Sequence, residues 1–141
     1  MSPFALAPAF DAVSTAIGDL QLCHVRLMQD HRFAWLTLVP RVADVREMED
    51  LSPADRAVLM EEIIAAGGAV RAIGQALGRP VEKLNVGQMG NTTPQLHIHV
   101  TGRRSDDVAW PLAPWGSGAP QRYGADEQAL ALAAARQALG I

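Results

Sequence analysis

A single long helix, set between stretches that alternate like strands, narrows this chain to few architectures. Ser52-Pro53-Ala54-Asp55 carries the start signal: serine as N-cap, proline at the first helical position and an acid in the first turn. Leu59, Ile63, Ala66, Val70, Ile73 and Leu77 then recur at steps of four and three, the apolar stripe of a helix lying on a sheet or on another helix. Gly67-Gly68 interrupts it at a cost of roughly 1 kcal/mol per glycine relative to alanine, which close packing of a neighbour or a slight bend accounts for. Gly78 and Pro80 end it.

The flanks read mostly as strands. Residues 8 to 17 are expected to form a short helix with Phe10, Val13 and Ile17 on one side, ended by Gly18-Asp19. Leu20 to Met28 reads as a strand, Gln29-Asp30-His31-Arg32 as a turn, and Phe33 to Val39 as the second arm of an antiparallel hairpin. Pro40 closes it, because proline donates nothing to a central ladder. Beyond the long helix, Lys83 to Met89 includes a strand, followed by a turn at Gly90 to Pro94 and a further strand. Residues 110 to 116 hold too much proline for regular structure, and Asp126 to Leu139 is an alanine-rich helix with Leu130, Ala134 and Ala138 facing inward. The expected fold is α+β: an antiparallel sheet of about five strands, one long inserted helix and a C-terminal helix, in a single domain spanning residues 1–141.

The chemistry concentrates in the last of these strands. From Gln95 to Thr101 polar and apolar residues alternate strictly, so Leu96, Ile98 and Val100 face a core while Gln95, His97, His99 and Thr101 share the other face. Two imidazoles on one strand face are close enough to act on one ligand. The turn Gly90-Asn91-Thr92-Thr93-Pro94 is rich in small donors suited to wrapping an anionic group.

Together these residues resemble the signature of the histidine triad (HIT) superfamily of nucleotide hydrolases and transferases, His-φ-His-φ-His-φ-φ with φ apolar. Aligned on Gly102-Arg103, His97 falls on the family's nucleophilic histidine, His99 on the last and Gln95 on the first, where the chain departs from the pattern. Asn91 and Thr92 fall on a pair that commonly contacts phosphates, beside Gly90. Phe33 to Pro40 is similar to the family's apolar strand ending in proline, with Trp35 where a fourth histidine would lie.

What the resemblance implies is a hydrolase of dinucleoside polyphosphates or related conjugates. His97 would attack the α-phosphorus to form a nucleotidyl-histidine, with its other ring nitrogen donating to a backbone carbonyl. His99 would hold a non-bridging oxygen. Gln95 can offer a hydrogen bond to the leaving group but no proton, which suits leaving groups that depart as stable anions. The hairpin would supply the base and ribose pocket, with Gln29 among the contacts. The family's dimers make a twofold homodimer the expected assembly, and the close approach allowed by Gly67-Gly68 agrees with one. Trp110 or Trp115 would complete the pocket from the partner or stack on the base.

Other classes fit less well. A net charge of −3 and a pI near 5.7 leave no basic footprint for a nucleic acid polymer or an anionic membrane. The single cysteine, Cys23, forms no internal disulfide and reads as a buried strand residue. The apolar amino terminus has no Lys or Arg before it, and no stretch is long enough to span a bilayer, so a cytoplasmic location is expected. His24 and His31 read as structural or solvated. The chemistry needs no cofactor. Two readings stand beside the hydrolase: a nucleotide-binding protein with weak or no catalysis, and a His-X-His metal site. The second is opposed by Arg103 and Arg104 next to the pair.

Overall fold

The structure is a computed structural model describing residues 2–141. Five strands form one antiparallel sheet: β1 (Ser14–Asp19), β2 (Cys23–Met28), β3 (Trp35–Pro40), β4 (Lys83–Gly87) and β5 (Ile98–Arg103), in the order β1-β2-β3-β5-β4. A short helix α1 (Ala9–Val13) precedes them, α2 (Pro53–Ala76) crosses between β3 and β4, and α3 (Ala125–Leu139) follows β5. The chain thus returns from α2 to the sheet edge and then threads β5 into its interior, against β3. The expected α+β architecture is the observed one.

One face of the sheet meets the helices. Val25, Leu27, Leu36, Leu38, Ile98 and Val100 point from β2, β3 and β5 into a cluster with Leu59, Ala66, Val70 and Ile73 of α2 and Ala131 and Ala135 of α3. Burial of each such Val, Leu or Ile contributes about 1.5–3 kcal/mol. Ser52 caps α2 as its sequence requires, its hydroxyl accepting from Asp55 N at 3.1 Å. Gly67 is explained within the chain, because a Cβ there would lie 2.8 Å from Leu84 of β4. Glu62 makes a tie that hydropathy hides: its buried carboxylate accepts from Leu22 N at 3.0 Å and Cys23 N at 2.8 Å, pinning α2 to the start of β2. Burial first, and then Glu62, push the Cys23 thiol up, so it is inert as a nucleophile at neutral pH.

Several boundaries differ from expectation. Residues 8–17 are not one helix: α1 stops at Val13, and Ser14 begins a strand paired with Met28. The strand's small polar residues conceal its alternation, and the Ser14 hydroxyl donates to Phe10 O at the junction. Leu20 to Leu22 form the turn before β2, closed by Leu20 N donating to Cys23 O. β4 ends at Gly87, and β5 begins only at Ile98 and runs on to Arg103. The buried face of α3 is Ala131 and Ala135, whereas Leu130 is 52% exposed and Ala138 is also exposed. Alanines there let α3 approach closely, so size, not hydropathy, selects the inner face.

Candidate active site

His99 lies near the middle of the sheet, paired with Thr37 of β3 on one side and Gly87 of β4 on the other. His97 precedes it by one pleat, just outside the ladder, and the two rings stand 5.0 Å apart at 84°. Both are nearly buried. They form one wall of a cavity of about 300 Å³ whose remaining lining is Met89, Gly90, Asn91, Thr92 and Thr93. Gly90 takes φ 71°, a left-handed conformation that glycine adopts freely. Loop and histidines therefore meet as their spacing suggested.

Hydrogen bonds assign both tautomers. His97 Nδ1 lies 2.7 Å from Gln95 O, and since a carbonyl only accepts, Nδ1 holds the proton and Nε2 keeps its lone pair. His99 is the reverse. Trp35 Nε1, which only donates, points at His99 Nδ1 from 3.0 Å, and the Thr37 hydroxyl stands 3.3 Å from the same atom. His99 Nδ1 is therefore the acceptor and Nε2 carries the hydrogen. Burial, with His97 adding to it, pulls the His99 pKa down to about 4, so the ring is neutral at pH 7. A lone pair on one imidazole and an N–H on its neighbour suit attack on a phosphorus and support of its oxygen.

The other expected residues divide. Trp115 is brought to the site by its own chain: its ring lies 6.0 Å from that of His99 and occupies the space a Cβ on Gly87 would need. Trp110 is 40% exposed and sits over the Arg103 guanidinium instead. Gln95 lies before β5 and does not share the histidine face. Its Oε1 accepts from Ala7 N at 2.9 Å and its Nε2 donates to Ala5 O at 2.8 Å, both on the N-terminal segment. Gln95 is accordingly not among the residues lining the histidine cavity.

A second cavity, of about 390 Å³, opens between the β2–β3 turn and residues 114–122, lined by Val13, Met28, Gln29, Trp35 and Pro114 among others. Trp35 joins it to the histidines. Gln29 borders this cavity, but its Nε2 donates to Thr15 Oγ1 and Gln128 Oε1 while its Oε1 accepts from Tyr123 N. It shapes the wall and has little left to offer a ligand. Asp30 is likewise engaged: burial works to raise its pKa, yet hydrogen bonds from Arg32 and Gln121 N hold it below the ordinary value. His24 pairs with Asp19 and His31 with Gln121, both away from the pocket. Among the described residues no three His, Cys, Asp or Glu side chains converge as a metal site would require. No helix among them is long and apolar enough to cross a membrane.

Comparison with known proteins agrees with this geometry. A family model described as the HIT domain matches residues 10–106. The chain belongs to the HIT domain family. The HIT fold extends over nearly its full length: a histidine triad protein from Bradyrhizobium japonicum is 35% identical with a TM-score of 0.91, covering 98% of this chain and 99% of its own. Another from Sinorhizobium meliloti is 37% identical (TM-score 0.87, coverage 96% and 97%), and one from Marinobacter aquaeolei 32% (0.86, 99% and 98%). No match was found among curated proteins. HIT proteins are generally nucleotide hydrolases or transferases, and some only bind, so membership supports a role on nucleotides.

Two site residues escaped sequence reading. Thr37 gave no signal beyond its place on an apolar strand. Phe10, whose ring stands edge-on to His97 at 5.0 Å, was read only as a core residue of a helix.

Proposed function

We propose that this HIT protein hydrolyses dinucleoside polyphosphates, or related nucleotide conjugates, through a nucleotidyl-histidine intermediate on His97. The observation that carries the reading is the pair of complementary tautomers: a free lone pair on His97 Nε2 beside an N–H on His99 Nε2. His97 Nε2 attacks the α-phosphorus, and the bond from phosphorus to the bridging oxygen breaks, its electrons leaving with the departing nucleotide. His99 and the donors of Gly90, Asn91 and Thr92 stabilise the charge on the non-bridging oxygens. Water then attacks the same phosphorus, the phosphorus–nitrogen bond breaks, its proton goes to solvent, and a nucleoside monophosphate departs. The base lies in the cavity lined by Met28 and Trp35. No acid at position 95 faces the pocket, which supports a leaving group that departs as an anion.

A panel of dinucleoside polyphosphates and adenosine phosphoramidates tests this, with wild type beside His97→Ala. The expected result is faster cleavage of the polyphosphates and a loss of about three orders of magnitude in His97→Ala. Tight binding with no turnover would favour the non-catalytic alternative.

We further infer a homodimer. Met60 and Ile64 of α2 and Val86 of the edge strand β4 are exposed beside an apolar groove of about 640 Å³, the kind of surface that closed twofold association covers. Light scattering should give a mass near twice 15.1 kDa; a monomer at micromolar concentration with full activity would contradict it.

A further inference from the structure

Gln95 stands where the family signature begins, yet everything it bonds lies outside the pocket or behind the nucleophile. Its side-chain amide makes a two-point bond to the N-terminal segment, accepting from Ala7 N and donating to Ala5 O, as a neighbouring strand would. Its main-chain carbonyl takes the Nδ1–H of His97. β5 begins only at Ile98, so no ladder fixes the peptide at residue 95; its neighbouring tie is Leu96 N to Val45 O at 3.0 Å. The strapped segment leads into Phe10, a buried ring edge-on to the His97 imidazole at 81°. One residue thus holds the N-terminal segment with its side chain and the His97 proton with its backbone.

We propose that Gln95 is a positioning residue: its amide fastens the N-terminal segment beside the histidine strand, and so fixes both the carbonyl that sets the His97 tautomer and the Phe10 ring that hinders the imidazole from turning. The proposal rests on the reading of His97 as nucleophile, because only the Nδ1–H tautomer leaves Nε2 able to attack. An unrestrained neutral imidazole populates both tautomers and both ring orientations, so part of the population is unreactive at any moment. The position that carries the first histidine elsewhere in the family acts here through structure. Its contribution therefore has to be independent of the leaving group, whereas a side chain bonded to the leaving group would matter more as that group becomes more basic.

Two measurements on Gln95→Ala separate these roles. The first is ¹⁵N NMR of the histidine rings in the free protein at pH 7. In wild type the neutral His97 ring should be in the Nδ1–H form alone, and in Gln95→Ala it should be a mixture of both tautomers. The second is kcat across substrates whose leaving groups run from a nucleoside polyphosphate to an amine. The loss should be about tenfold throughout, with KM little changed. Gln95→Glu keeps an acceptor for Ala7 N and loses the donor to Ala5 O, so its tautomer mixture should be intermediate. If Gln95→Ala fails to fold, Gln95→Glu and Phe10→Leu carry the same two readouts. A single His97 tautomer in the folded variants would overturn the proposal, as would a loss that grows with leaving-group basicity. If no nucleotide is turned over at all, the NMR result still decides the strap, and only the hydrolase reading fails.

Discussion

The two ends of β5 are almost equally buried and differ in what they leave unbonded. At one end Arg103, 1% exposed, has all three guanidinium nitrogens bonded within the chain. Its Nε and Nη2 donate to the two Asp107 oxygens at 2.9 Å each and its Nη1 to Asn85 Oδ1 at 2.8 Å, with the Phe33 and Trp110 rings beside it. At the other end His97 and His99, each 7% exposed, have one nitrogen bonded, and neither Nε2 has a protein partner among the described residues. Burial and polarity alone do not mark the active end. What distinguishes the active end is a ring nitrogen on each histidine with no protein partner among the described residues, beside a cavity open to a ligand.

That contrast can be broken from either side. The largest stability effect belongs to the arginine end. Arg103→Met leaves Asp107 buried without its partner and should lower unfolding free energy by about 3–5 kcal/mol in denaturant titration. A loss under about 1 kcal/mol would mean that this buried pair contributes little to stability.

The histidine end should instead appear in the pH dependence. The His99 pKa lies at about 4 in the folded chain against an ordinary 6.5, so between those values the unfolded chain takes up a proton that the folded one refuses. Stability from this group is complete above pH 6.5 and falls as pH drops towards 4, by up to about 3 kcal/mol. His99→Gln should flatten that part of the profile, and an unchanged slope would place the titration elsewhere. A smaller effect is expected at Trp35. Trp35→Phe keeps an aromatic wall but removes the N–H that fixes His99, so kcat should fall about tenfold while stability changes by no more than about 1.5 kcal/mol. Wild-type kcat would leave Thr37 as the group that sets the tautomer.

Much of this was legible in the sequence because it depends on period and punctuation. Ser52-Pro53 started α2 where expected, the apolar stripe faced the sheet, and the turn at 90–93 met His97 and His99 across one cavity. What stayed hidden depends on partners far along the chain. β1 is recognisable only through its pairing with β2, since Ser14, Thr15 and Gly18 carry little hydropathy. Leu130 was expected to face inward, but close packing of α3 favoured the face of Ala131 and Ala135. Gln95 read as a substitute for a histidine on a strand face. Its bonds to Ala5 and Ala7, 90 and 88 residues away, could not be read from its neighbours.

Of the four histidines, His97 is the one proposed to carry the nucleotide. Wild-type protein mixed with a dinucleoside polyphosphate, quenched within the first turnovers under conditions that preserve phosphorus–nitrogen bonds and digested for mass spectrometry, tests it directly. A nucleoside monophosphate adduct is expected on His97 and on none of His24, His31 or His99. An adduct on any of those three, or product formation with no adduct at any quench time, would contradict it.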